Sequence, residues 1–155
     1  DSVATAGDVL SGKREVGQRV AIIGGELVGC ETAMFLAEKG KRVTILRRGS
    51  SMATNLFSRV REPLLDILAK HGVSMLPGIR YEEITERGLG ITDSQGHRQT
   101  IEADTIVLAA GGKPNQELFV PLQGRVSKVY LAGDCIQPGN IFKAIHDGFH
   151  IGHDL

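Results

Sequence analysis

The chain has 155 residues, enough for one domain with a sizeable core. Its 41% apolar and 23% charged residues are ordinary globular composition, and 18 basic residues balance 18 acidic ones. Without a basic excess, nucleic-acid binding is not expected. No apolar run approaches the ~18 residues of a membrane span, and the opening DSVATAGDVL resembles neither a signal peptide nor a basic presequence.

Residues 1–18 read as a polar lead-in with a short helix around Thr5–Leu10. Arg19-Val-Ala-Ile-Ile-Gly24 is an apolar run stopped by glycine, as in a buried parallel strand. Over residues 27–39, Leu27, Cys30, Ala33, Met34, Leu36 and Ala37 recur at helical spacing, and Gly40 follows as a stop. Val43–Leu46 is a second buried strand, residues 50–57 a Ser-rich loop, and Pro63–Lys70 a helix whose start reaches back toward Ser58. Val73–Leu76 is a short third strand. Residues 79–102, with a hairpin-type turn at Asp93–Gly96, predict a small antiparallel meander. Thr105–Ala110 is again a buried strand, Lys113–Leu122 is loop-rich, Val129–Ala132 is one more short strand, and Ile141 to the end is helical. The order predicts an α/β, Rossmann-like parallel sheet with helices on both faces and a small antiparallel β-meander. Ligands of such sheets bind beyond the carboxyl ends of the strands.

The segment VAIIGGELVGCETA stands where strand gives way to helix, the context that a G-x-G-x-x-G dinucleotide turn requires. Gly24 is the first glycine, for the tight turn, and Gly29 the third, for close helix–strand packing; Gly25, Leu27 and Val28 complete the loop. The second glycine position holds Glu26. A side chain there takes space near the diphosphate, and two like charges ~4 Å apart repel by ~4 kcal/mol at an effective dielectric of ~20. Even part of that weakens binding by roughly tenfold or more. The helix amides remain favourable to an anion, so a weakened nucleotide site and a vestigial one are both open. A turn that serves packing alone is the third reading.

The residue about 20 positions on from such a turn separates cofactors, an acid taking the ribose hydroxyls and an arginine the 2′-phosphate. Here the second strand ends in Arg47-Arg48. If a nucleotide binds, this favours NADP over NAD; a solvated basic strand end is the alternative. Asp134, after an apolar stretch and Gly133, is suited to cap the final helix. His146, His150 and His153 lack the HExxH glutamate and read as solvated or partner-facing. The alternating charges from Arg80 to Arg87 read as a solvated face. The two cysteines, Cys30 and Cys135, form no CxxC pair and no metal-ligand cluster, which suits packed thiols in a reduced, cytoplasmic protein without dithiol chemistry.

The stretches RVAIIGGELVGCETAMFLAEKGKRVTILRR, REPLLDILAKHGVSML, IEADTIVLAAGGKPNQEL, VYLAGDC and AIHDGF resemble the C-terminal half of the 2-enoate and 2,4-dienoyl-CoA reductase family, NADH:flavin oxidoreductases related to old yellow enzyme. The resemblance covers nearly the whole chain and implies a piece of a longer polypeptide. It implies a lead-in over 1–18, an NAD(P)H-binding domain over 19–127, and over 128–155 a return strand and helix of the parent's FAD domain. It places Gly112 and Pro114 at the nicotinamide end and, in the parent, Asp134 at the flavin. In the parent, NAD(P)H reduces FAD, electrons pass through an iron–sulfur cluster to FMN, and an activated C=C bond is reduced. The implied partners are the remaining FAD and FMN-barrel domains, with no nucleic acid and no membrane. No turnover is expected of this chain alone. The segment from about residue 128 would dock on the sheet edge, swap within a homodimer, or stay mobile. Glu26, and Arg47 where an acid is frequent, depart from the family pattern, which keeps open a structural, interdomain module with a vestigial site.

Overall fold

The computed structural model describes residues 2–155. They form two compact units, one ending at Ala110 and one running from Gly111 to Leu155.

The first unit holds a five-stranded parallel sheet in the order β1-β8-β2-β3-β4, made of β1 (Val3–Thr5), β2 (Arg19–Ile23), β3 (Arg42–Leu46), β4 (Ser74–Leu76) and β8 (Thr105–Leu108). Between them run α1 (Ala6–Leu10), α2 (Leu27–Glu38) and α3 (Ser58–Lys70). A three-stranded antiparallel sheet, β5 (Arg80–Thr85), β6 (Gly88–Thr92) and β7 (Arg98–Glu102), is the expected meander. The Rossmann-like α/β class therefore stands.

Period-two burial explains the layering. On β2, Val20 and Ile22 enter one core while Ala21 and Ile23 enter another. The first core collects Ala6 and Val9 of α1, Cys30, Ala33 and Leu36 of α2, and Leu68 of α3. The second collects Leu89 and Ile91 of β6 with Leu46 and Ile106. This corrects the expectation of helices on both faces. In the first unit the helices take one face, and the antiparallel sheet covers the other with its own buried side chains.

The lead-in also differs from expectation. Val3–Thr5 is a strand, parallel to β8, before the expected short helix. Thr5 caps α1, its hydroxyl accepting the Asp8 amide at 3.1 Å. At the amino ends of the central strands, Asp104 accepts the Gln18 and Arg19 amides at 3.0 and 2.8 Å, and its other oxygen takes the Arg19 guanidinium at 2.7 Å. These contacts hold the Asp104 carboxyl down to about 2, chiefly through the bond from the Arg19 side chain.

The second unit contains α4 (Phe119–Leu122), a 3-10 turn over Gly133–Cys135 and α5 (Ile141–His153). The expected strand at Val129–Ala132 is not one: the segment belongs to none of the ladders among the described residues. A short apolar run becomes a strand only when another strand satisfies its backbone. The expected cap of the last helix is corrected as well. Asn140 caps α5, accepting the Lys143 amide at 3.0 Å, while Asp134 accepts the Gly139 amide at 3.1 Å within the preceding loop.

Candidate functional site: a dinucleotide turn with a carboxylate drawn aside

The carboxyl ends of β2 and β3 meet the amino end of α2. Gly24 has φ +123°, a conformation that disfavours any side chain, and a Cβ there would strike the Ala109 carbonyl. A Cβ at Gly29 would strike the carbonyl oxygen of Gly24, so the first turn of α2 crosses β2 at backbone contact. The Gly24 amide donates to the Leu46 carbonyl at 3.0 Å, and the Tyr81 hydroxyl, reaching across from β5, donates to the same oxygen at 2.7 Å. Burial raises the Tyr81 phenol above its ordinary range. These contacts fix the turn in the geometry that the two outer glycines of the motif require.

Glu26 is the N-cap residue of α2, but its side chain makes no bond to the helix amides. The carboxylate turns instead toward the loop after β3. One oxygen accepts the Thr54 hydroxyl at 2.8 Å and pairs with the Arg47 guanidinium; the other accepts the Asn55 amide at 3.1 Å. Arg47 also donates to the Ser51 carbonyl and to Thr54 Oγ1. The loop is pinned further by the Ala53 amide on the Gly25 carbonyl at 2.6 Å and by Arg61 of α3 on the Met52 carbonyl at 2.7 Å. Met52 and Ala53 are buried. The first-turn amides of α2 thus keep their free donors, and the acid that threatened to repel a diphosphate is drawn aside.

The sites expected from sequence separate into two groups. Gly24, Gly25, Glu26, Leu27, Val28, Gly29 and Arg47 come together at this turn. Arg48, in the bend after β3, is exposed and stands outside the network. Its charge and that of Arg47 both oppose the effect of burial on the Tyr81 phenol. Gly112, Pro114 and Asp134 belong to the second unit, the first two in an exposed irregular segment. Thr54 and Asn55 were missed. Their only signal was a polar Ser-rich loop, which names no partner. The pairing of Glu26 with Arg47 was missed too, although both had been singled out, because the fold brings them together across 21 positions of sequence.

Cys30, one turn into α2, is buried, and its thiol is pushed up to about 11, first by burial and then by the neighbouring Glu26 charge. Cys135 directs its thiol at the Ala132 carbonyl, 2.9 Å away. No group of three or more His, Cys, Asp or Glu residues among the described residues is placed to hold a metal ion. None of the described helices is long and apolar enough to cross a membrane.

A parallel sheet with a glycine-built strand-to-helix crossing defines a Rossmann-type, pyridine-nucleotide-binding domain. Residues 1–148 match the pyridine nucleotide-disulphide oxidoreductase family, and the chain belongs to it. It is 37% identical to an NADH oxidase of Thermoanaerobacter brockii over 99% of this chain and 24% of that protein. A cinnamate reductase of Clostridium sporogenes is 29% identical over 100% of this chain and 24% of its own length. Among solved structures, a 2-naphthoyl-CoA reductase complex superposes with a TM-score of 0.93 at 31% identity, over 98% of this chain and 23% of that one. The histamine dehydrogenase of Rhizobium sp. 4-9 shares the fold at a TM-score of 0.88 and 18% identity, covering 99% of this chain and 26% of that one. The chain spans about a quarter of the length of the curated relatives it matches.

Proposed function

We propose that this chain is the NAD(P)H-binding part, toward the C-terminal end, of a multidomain flavin-dependent oxidoreductase of the 2-enoate and 2,4-dienoyl-CoA reductase type. The observation that carries this reading is the Gly24–Gly29 crossing, with the Glu26 carboxylate drawn off the amino end of α2. The chain's own residues bind and orient the nucleotide. The first-turn amides of Leu27, Val28 and Gly29 receive the diphosphate, and Gly24 and Gly25 shape the turn, since a Cβ would strike the Ala109 carbonyl at the first and the Met52 sulfur at the second. Gly112 and Pro114 border the nicotinamide. Residues 128–155, with Asp134, belong to the FAD domain. The bound groups supply hydride transfer from reduced nicotinamide to FAD. FMN, an iron–sulfur cluster and reduction of an activated C=C bond belong to other domains of the parent.

Calorimetric titration with NADH and NADPH tests this. The expected result is weak, saturable heat that disappears in Gly29→Val, whose side chain would force α2 off β2. No binding by the wild-type chain or by Glu26→Gly overturns it. A second reading, a structural module that keeps the fold with a vestigial site, is favoured by one feature: the loop 51–55 is stapled to the turn by Arg47 and Glu26. Silence of every variant toward both nucleotides supports that second reading.

A further inference from the structure

The Glu26–Arg47 pair bears on which nucleotide the turn accepts. An arginine at the end of β3 recognises a 2′-phosphate through a planar fork of N–H donors. Both terminal nitrogens of this fork are already engaged. One terminal nitrogen serves the Ser51 carbonyl, and the other serves both Thr54 Oγ1 and the Glu26 carboxylate. The guanidinium charge is also cancelled by Glu26 at contact distance, and only 20% of the Arg47 side chain is exposed. A phosphate arriving at Arg47 therefore meets a neutral pair whose acid lies beside it. A ribose hydroxyl at the same place meets no such repulsion.

We infer that Glu26 is the selectivity residue of this site: by holding Arg47 in an ion pair it suppresses recognition of the 2′-phosphate, so that the chain binds NADH at least as tightly as NADPH. The arginine at the strand end is silent only while Glu26 is present. This rests on the dinucleotide reading above and goes beyond it by assigning the cofactor preference to a pair of residues. Arg48 is exposed and stands outside the Glu26 network, so it serves as the control position.

The test is the ratio of NADPH to NADH affinity, measured by calorimetry on the 155-residue chain. Glu26→Gln keeps the shape and removes the charge, and Glu26→Gly removes the side chain. In both, NADPH affinity is expected to rise relative to NADH by roughly tenfold or more. The gain shrinks as salt is raised. Arg47→Ala added to Glu26→Gln cancels the gain, whereas Arg48→Ala added to it does not. Circular dichroism checks that each variant is folded, and Glu26→Gln serves where Glu26→Gly is not. If nucleotides bind but the ratio stays unchanged on loss of the Glu26 charge, or already favours NADPH in the wild type, the inference is overturned while the nucleotide site survives. If neither nucleotide binds any variant, the dinucleotide reading itself fails and the inference falls with it.

Discussion

Gly29 has the narrowest tolerance at the turn. Its α-hydrogen faces the Gly24 carbonyl oxygen, and a methyl group there would overlap that oxygen. Relief requires α2 to lift from β2, so Gly29→Ala is expected to lower stability by about 1–3 kcal/mol in urea denaturation, the range for overpacked interiors. An unchanged midpoint would mean that the crossing is looser than described. Cys30 lies one residue on and behaves oppositely. Its thiol is held up at about 11 by burial and then by Glu26, against an ordinary value of 9.0. The folded state therefore binds this proton more tightly than the unfolded chain. Stability from this group is fully present below pH 9 and is lost as pH rises through 9 to 11. The native chain is expected to resist iodoacetamide at Cys30 at pH 8 and to react once unfolded, a contrast read by mass spectrometry.

At the scale of elements, the amino ends of β2 and β8 are held by Asp104, which bonds two backbone amides and the Arg19 side chain. Its carboxyl is lowered from 3.8 to about 2, so its contribution is present above pH 4 and is lost as pH falls toward 2. Asp104→Asn is expected to lower the Tm at pH 5 and to leave it nearly unchanged at pH 2. An equal drop at both values would assign the effect to packing rather than charge. This clasp was not foreseen, because it joins residues 85 apart in sequence. Elements with a strong local pattern were legible: the apolar β2 run, the helical spacing over 27–39, the turn at Asp93–Gly96. Val3–Thr5 was not, since three residues carry no periodicity and only pairing with β8 makes them a strand. Val129–Ala132 failed for the converse reason, having the composition of a strand without a partner among the described residues. At the turn, Gly24 and Gly29 were readable from spacing because backbone approach admits no other residue. The orientation of Glu26 was not readable, because it depends on where the loop 51–55 returns.

At the scale of the molecule, every strand of both sheets lies before Gly111, and residues 111–118 are exposed throughout. A glutamate-specific protease is expected to cut early after Glu117, in this exposed segment, and to leave a product of residues 1–117 that keeps its strand signal in circular dichroism. Early loss of that signal would mean that the first unit depends on residues beyond the cut. The two interiors of that unit meet in β2, whose successive side chains serve opposite layers. A single residue inserted just before Val20 would hand every later position to the wrong neighbour, leaving a void under the helices and crowding the meander at once. The central strand can therefore change its residues in kind but not in number, and length variation in this domain must accumulate in its loops.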